Sequence, residues 1–409
     1  MRFTLLLLLL GAVARAQVPL DTAGRIITCE TRDTAFGAFM PPRASIVDGS
    51  ADITTTFDLI FAESVPEEAR NSMQFAADIW GSYLQSNVPV RVEVDWRDED
   101  DDRLLASAGP ATFYRGFVGG VNRSTWYPVA LAEAIQGDTL NSPDDADIFV
   151  VVNSTANWNY STDGRVPRNR IDLATVFLHE LGHGLGFLSS IDSTTDTTVT
   201  IGLDGLFVIY DLFLETPPGR SLVDAAEFEN PSPELLAAVI DRLDFAGESA
   251  MAKNGGELVP LFAPETFDVG SSVSHLDEQA YRTGTQNALM TPSLAAGEAI
   301  HDPGPVTLGI LYDLGWPLRF DLTSTSEVYA GQLGIYPNPA AGSFRLSLAE
   351  VHTPTVAILY GPDGREAFRQ DISGQYGEAR VSVDKLPPGL YTLFVPDGDR
   401  AFSGRVVVR

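Results

Sequence analysis

His179-Glu180-Leu181-Gly182-His183 is the one place in the chain where side chains that do chemistry recur at a meaningful spacing. On a helix, residues i and i+4 share a face, so both imidazoles would point the same way. A single tetrahedral zinc ion accepts two nitrogens so placed. Glu180 sits one step round the helix. It is badly placed to ligate the same ion but well placed to take a proton from water whose pKa zinc has lowered. That is the chemistry of a zinc-dependent hydrolase. Five residues of this pattern also arise by chance, and two structural core histidines are the bland reading, so the setting decides their weight.

The setting is a helix that begins near Asp172, a residue type that caps helix N-termini. Leu173, Ala174, Val176, Phe177, Leu178 and Leu181 make it apolar nearly all round, which predicts burial. Gly182, Gly184 and Gly186 then end it. Upstream, Ile53 to Phe61 reads as a strand. Pro66-Glu67-Glu68 opens a helix, with Ala69, Met73, Ala76, Ala77 and Trp80 at helical spacing. Val88 to Val94 alternates as a strand, and Ile148 to Val152 is an apolar run suited to a strand buried on both faces. Residues 112–121 are expected to form an edge strand that binds substrate as an added strand. Asp98 to Asp102 is an acidic loop: a solvated turn, or a weaker Ca2+ candidate because its carboxylates lack a defined ligand spacing. Residues 190–270 form a mixed insertion with a helix at 232–243, and Pro305 to Leu314 reads as a closing helix. The pattern predicts an α+β domain, a twisted mixed sheet carrying the active-site helix.

A catalytic zinc site needs a third protein ligand. In one large group the motif runs on as His-Glu-x-x-His-x-x-Gly-x-x-His. Gly186 matches that glycine, but the last position is Ser189, a poor ligand. The remaining histidines are His275, His301 and His352, the last of which falls in the C-terminal β region. Glu298-Ala299-Ile300-His301-Asp302 offers a carboxylate alternative, flanked unfavourably for a helix by Gly297 and Pro303.

Gly186-Phe187 on the helix, then Ser274-His275 after a long insertion, then Leu289-Met290-Thr291-Pro292, resembles the leishmanolysin-type metzincins over roughly 50–320. The resemblance implies His179, His183 and His275 as zinc ligands, Glu180 as general base and Met290 as an apolar floor beneath the metal. Leu276 stands where that family often has Trp, and the family's many cysteines are absent. In several metzincin groups a pro-segment cysteine blocks the metal, so Cys29 is a candidate cysteine switch, with Arg25 and Arg32 near enough to favour its thiolate.

The rest of the chain speaks to location. The sequence has 409 residues, 44% hydrophobic, with a formal charge of −28 that argues against nucleic acid. Residues 1–16 read as a signal peptide: Arg2, an apolar run from Leu5 to Leu10, then Ala14-Arg15-Ala16. No segment approaches a transmembrane span. Residues 17–50 read as an N-terminal arm or pro-segment, 51–320 as the catalytic domain and 321–333 as a linker. Beyond it the period switches to two, predicting a small all-β sandwich over 334–409.

Tyr336-Pro337-Asn338-Pro339, Leu386-Pro387-Pro388-Gly389-Leu390-Tyr391 and Gly404-Arg405-Val406-Val407-Val408 make that tail similar to the C-terminal sorting domains of type IX secretion. The resemblance implies type IX secretion machinery as a partner, with passage through Sec and then the outer membrane of a Gram-negative bacterium. The protein expected is a secreted or surface-attached zinc endopeptidase acting on proteins or peptides. The alternative is a surface adhesin with a structural or vestigial zinc.

Overall fold

Six strands form the main sheet: Ile27–Arg32 (β1), Phe57–Phe61 (β2), Val90–Arg97 (β3), Leu104–Pro110 (β4), Ile148–Asn153 (β5) and Ser293–Ala295 (β6). Their spatial order is β6-β1-β4-β5-β3-β2. The protein is seen in a computed structural model that describes residues 18–20, 26–32, 37–47, 49–217, 219–319, 334–348, 356–360, 366–373, 375, 377–397 and 400–409. The expected signal peptide, the expected linker and His352 lie outside the described residues.

Alternation builds β3: Val90, Val92, Val94 and Trp96 are buried, while Glu93 and Arg97 are exposed. β2, β3 and β5 run parallel. The crossover from β2 to β3 is the helix Glu67–Tyr83 (α1), with Glu67 and Glu68 at its positive end. Its buried face carries Ala69, Met73, Ala76, Ala77 and Trp80. β4 reverses direction against β5, and β1 runs antiparallel to β4. The helix Leu173–Gly184 (α2) lies between this sheet and α1, and every one of its residues is buried. Trp80 ties the two helices by donating its indole N–H to the Leu178 carbonyl at 2.8 Å.

The described residues of 17–50, a stretch expected as an arm or pro-segment, are woven into the first unit. Val18–Pro19 pairs with Phe113–Arg115, β1 fills the space between β4 and β6, and Ala38–Met40 pairs with Glu298–Ile300. The expected edge strand at 112–121 is corrected. Only Phe113–Arg115 is extended there, and it belongs to a separate small sheet with Thr125–Pro128. The strand that flanks α2 on this side of the main sheet is β4. The helix expected at 232–243 is shorter, Pro233–Val239, and the closing helix spans Pro305–Leu314.

The chain divides into two units, 1–322 and 323–409. The described residues of the second form seven strands around a core of Phe344, Leu346, Leu359, Val381, Leu393 and Val406. Strand Ile335–Ala341 pairs with Ser343–Ser347 on one side and meets Arg400–Val408 through Ala340 on the other.

Candidate metal centre

Asp172 caps α2, accepting from the Thr175 backbone N–H at 3.0 Å and from its hydroxyl at 2.7 Å. Two turns on, His179 and His183 leave the same face of the helix, and His275 arrives from the far side of the insertion. One ligand atom from each lies within 4.8 Å of the other two. Nε2 of His179 is 2.9 Å from Nε2 of His183 and 3.3 Å from Nε2 of His275. Tetrahedral zinc with bonds near 2.0–2.1 Å separates its ligand nitrogens by about 3.3 Å.

The other nitrogen of each ring settles the protonation. Nδ1 of His179 faces the Leu289 carbonyl at 2.7 Å, Nδ1 of His183 the Phe187 carbonyl at 2.7 Å, and Nδ1 of His275 the Ser271 carbonyl at 2.8 Å. A carbonyl only accepts, so each neutral ring carries its hydrogen on Nδ1 and leaves Nε2 bare. Three lone pairs then converge with no donor among them. A cation satisfies that arrangement, and backbone carbonyls orienting the rings from behind are the usual support of metal-binding imidazoles. Burial pushes all three rings toward neutrality. His179 is lowered to about 4, with the Leu289 carbonyl pulling the other way. His275 is lowered to about 3 by burial and then by His179, and His183 well below its ordinary value by burial and by both neighbours.

Glu180 is fully buried beside them, and neither of its carboxylate oxygens has a hydrogen-bond partner. Burial raises its pKa well above the ordinary carboxylate value. An unsolvated carboxyl without a hydrogen-bond partner, within 4.8 Å of a ring nitrogen of His179, is suited to hold and release a proton there.

The glycines and Met290 explain the packing. A Cβ on Gly182 would meet Met290 Sδ at 2.8 Å, so the helix backbone rests on the methionine between the two ligand positions. The Met290 carbonyl accepts from Leu276 N–H at 2.8 Å, tying that turn to the residue after His275. Gly186 has φ +118°, a conformation L side chains rarely adopt, and it turns the chain so that the Phe187 carbonyl faces back onto His183.

Ser189 has a different task from the ligand position it occupies in the contiguous motif. Its hydroxyl donates to the buried Asp211 at 2.7 Å, and its N–H donates to Ser274 Oγ at 3.0 Å, next to His275. His301 is not at the centre. It is buried, donating Nε2–H to Asp172 at 2.7 Å rather than lying free in a loop. Glu298 is also buried away from the triad, accepting from Ala295 N–H. The three orienting carbonyls and Asp211 were missed by sequence reasoning, because a backbone carbonyl has no residue-type signature. The Asp98–Asp102 carboxylates turn back onto their own loop, Asp98 accepting from Asp100 N–H and Asp101 from Arg103 N–H.

Cys29 is brought to the centre. Its sulfur, a ring nitrogen of His179 and an oxygen of Glu180 lie within 4.8 Å of one another. Burial, then the charge of Glu180, pushes the thiol well above its ordinary value. Arg32 acts in the opposite direction and is outweighed. Arg25 lies outside the described residues. The site is closed: His179 is 2% exposed, and Glu180, His183 and His275 are 0% exposed.

Comparison with known proteins separates the two units. A family model described as a secretion system C-terminal sorting domain matches residues 334–409. The tail is a type IX secretion sorting domain. The sorting domain makes the type IX machinery a partner of this chain and marks it for export, to the cell surface or beyond. No helix among the described residues is long and apolar enough to cross a membrane. Ahead of the sorting domain, a family model described as SPBPB7E8-like matches residues 42–205, a stretch that includes α2. No curated protein matches the chain. A solved structure, described as CBM51-2 and INT domains from Clostridium perfringens ZmpB, is 17% identical over 20% of this chain with a TM-score of 0.15. The match spans only 18% of that structure's length and carries no argument.

Proposed function

We propose that the first unit is a zinc-dependent endopeptidase of the leishmanolysin-like metzincin kind, exported by its sorting domain to act on proteins or peptides. One observation carries the reading: three bare Nε2 atoms converge, and a buried carboxyl without a hydrogen-bond partner lies within 4.8 Å of a ring nitrogen of one of them, His179. His179, His183 and His275 would hold the ion. Zinc, when bound, lowers the pKa of water and polarises a carbonyl. Glu180 takes a proton from the attacking water and returns it to the leaving amine. Burial strengthens both steps, because no solvent competes for the carboxyl. Met290 keeps the spacing of His179 and His183 by supporting the helix at Gly182.

Glu180→Gln tests this. The variant should bind zinc as the wild type does and lose cleavage of a denatured protein substrate by at least about a hundredfold. Zinc bound with cleavage unchanged would remove Glu180 from the mechanism.

A second reading, a surface adhesin with a structural zinc, is favoured by the burial of all four residues. Casein hydrolysis, with and without a chelator, separates the two: a structural zinc gives none under either condition.

A further inference from the structure

Val273 is bent into a conformation that its residue type resists. Its φ is +70°, in the left-handed region, where a β-branched side chain is an outlier. The residue is fully buried, two positions before His275. Strained backbone of this kind persists only where its surroundings hold it, and three groups hold it here. The Val273 N–H donates to the Phe262 carbonyl at 2.8 Å. Its carbonyl accepts from the Tyr210 hydroxyl at 3.1 Å. The next residue, Ser274, accepts at Oγ from the Ser189 N–H at 3.0 Å.

Tyr210 and Asp211 are neighbours in the 3-10 helix Ile209–Phe213, inside the insertion, and both are fully buried. The Tyr210 ring packs against that of Phe187, with centroids 5.5 Å apart. Phe187 is the residue whose carbonyl orients His183. Asp211 gathers four donors. Oδ1 accepts from the Ser189 hydroxyl at 2.7 Å and the Ser190 N–H at 3.0 Å. Oδ2 accepts from the Val208 N–H at 3.1 Å and from the Ser190 hydroxyl. A carboxylate accepts at both oxygens, whereas an asparagine would turn its NH2 group toward two of these donors. Position 189 is where the contiguous motif places its third histidine. Here its backbone N–H reaches the segment that supplies that histidine instead.

We propose that Tyr210 and Asp211 are positioning residues of the metal centre, a latch by which the insertion sets the place of His275. Tyr210 holds the strained Val273 by its carbonyl. Asp211 fixes Ser189, whose N–H grips Ser274. Without the latch Val273 relaxes, and Nε2 of His275 leaves its 3.3 Å approach to Nε2 of His179. The latch rests on the proposed zinc ligands and not on the cleavage reaction.

The test measures zinc affinity of the full-length protein by competition with a chelator, together with the absorption bands of bound Co2+, which report coordination geometry. Tyr210→Phe and Ser274→Ala each remove one hydrogen bond of the latch. Each should weaken zinc binding by about tenfold, the scale set by partners behind metal ligands, and shift the Co2+ bands. Asp211→Asn should weaken it at least as much; should that variant fail to fold, the other two carry the test. Asp313→Asn is the control. It disturbs an acceptor of the Ser249 and Ala250 N–H groups and should cost stability with zinc affinity unchanged. Val273→Gly supplies a rescue. Glycine adopts positive φ freely, so Tyr210→Phe in that background should weaken zinc by less than about threefold. Unchanged affinity and Co2+ bands in Tyr210→Phe and Ser274→Ala overturn the latch, however much the variants are destabilised. A like loss in Asp313→Asn overturns it too, since the effect is then one of general stability. An equal loss from Tyr210→Phe in both backgrounds overturns the part played by Val273. A wild type that binds no zinc removes the ligand assignment and the latch with it. Zinc bound without casein cleavage counts only against the peptidase reading and leaves the latch standing.

Discussion

Met290 lies directly beneath Gly182, close enough that a Cβ there would sit 2.8 Å from Sδ and 3.0 Å from Cε. Gly182→Ala gains about 1 kcal/mol of helix propensity and loses about 1–3 kcal/mol to overpacking, because the fully buried methionine has little room to shift. Net destabilisation of about 1 kcal/mol is expected from urea unfolding. In a Met290→Ala background the same change should stabilise by about 1 kcal/mol, as the clash is gone and the propensity remains. An equal effect in both backgrounds would show that the two residues do not touch.

Zinc binding should release few protons. Burial lowers His179 to about 4 and His275 to about 3, with His183 also well below its ordinary value, so near pH 6 the rings are already neutral. Burial also raises Glu180 above the ordinary carboxylate value. Calorimetry at pH 6 in buffers of different ionisation enthalpy should therefore give no more than about one proton released rather than three. The sign for folding follows from the same values. Unfolded histidines near 6.5 take up protons first as pH falls, so the three rings contribute stability above pH 6.5 that drains away toward pH 4. Release of two or three protons would contradict the lowered values.

Asp172→Ala should cost about 3 kcal/mol or more. It removes the helix cap and leaves donors on Thr175, Asn159 and His301 unmatched in the interior. Asp172→Asn keeps a capping oxygen and should cost distinctly less. Chemical denaturation of the two variants decides it, and equal losses would place the effect at Oδ1, which accepts from Asn159, rather than at the capping oxygen shared by Thr175 and His301.

Cys29→Ala in the full-length chain should raise peptide cleavage by less than about tenfold. The thiol goes, while the backbone bonds to β4, Gly270 and Pro292 stay. Activity equal to that of a chain freed of its N-terminal strand would make the thiol alone the block.

How legible was this in the sequence? α2 stood out because a helix apolar on all sides cannot bury His179, Glu180 and His183 without a reason. His275 and Met290 came from the order of motifs rather than from any periodicity. β4 went unread. Leu104-Leu105-Ala106-Ser107-Ala108-Gly109-Pro110 is buried along nearly its whole length, so it shows no alternation, and its small residues carry little strand propensity. The nearby aromatic stretch at 112–121 carries the stronger strand signal, and the expected edge strand falls there instead. The insertion of β1 was illegible for a different reason. Its partners lie some 75 and 260 residues away, and strand pairing over such separations leaves no local mark.

The three carbonyls behind the imidazoles also bear on which ions the exported protein admits. They fix a ring of neutral nitrogens that brings no formal charge, beside a carboxyl whose anion burial disfavours. Calcium and magnesium seek charged oxygens and give up water reluctantly, while borderline ions such as zinc accept imidazole. A chain of net charge −28 draws hard divalent cations to its surface. Its one convergent ring of histidine nitrogens passes them over, so millimolar calcium should leave bound zinc in place.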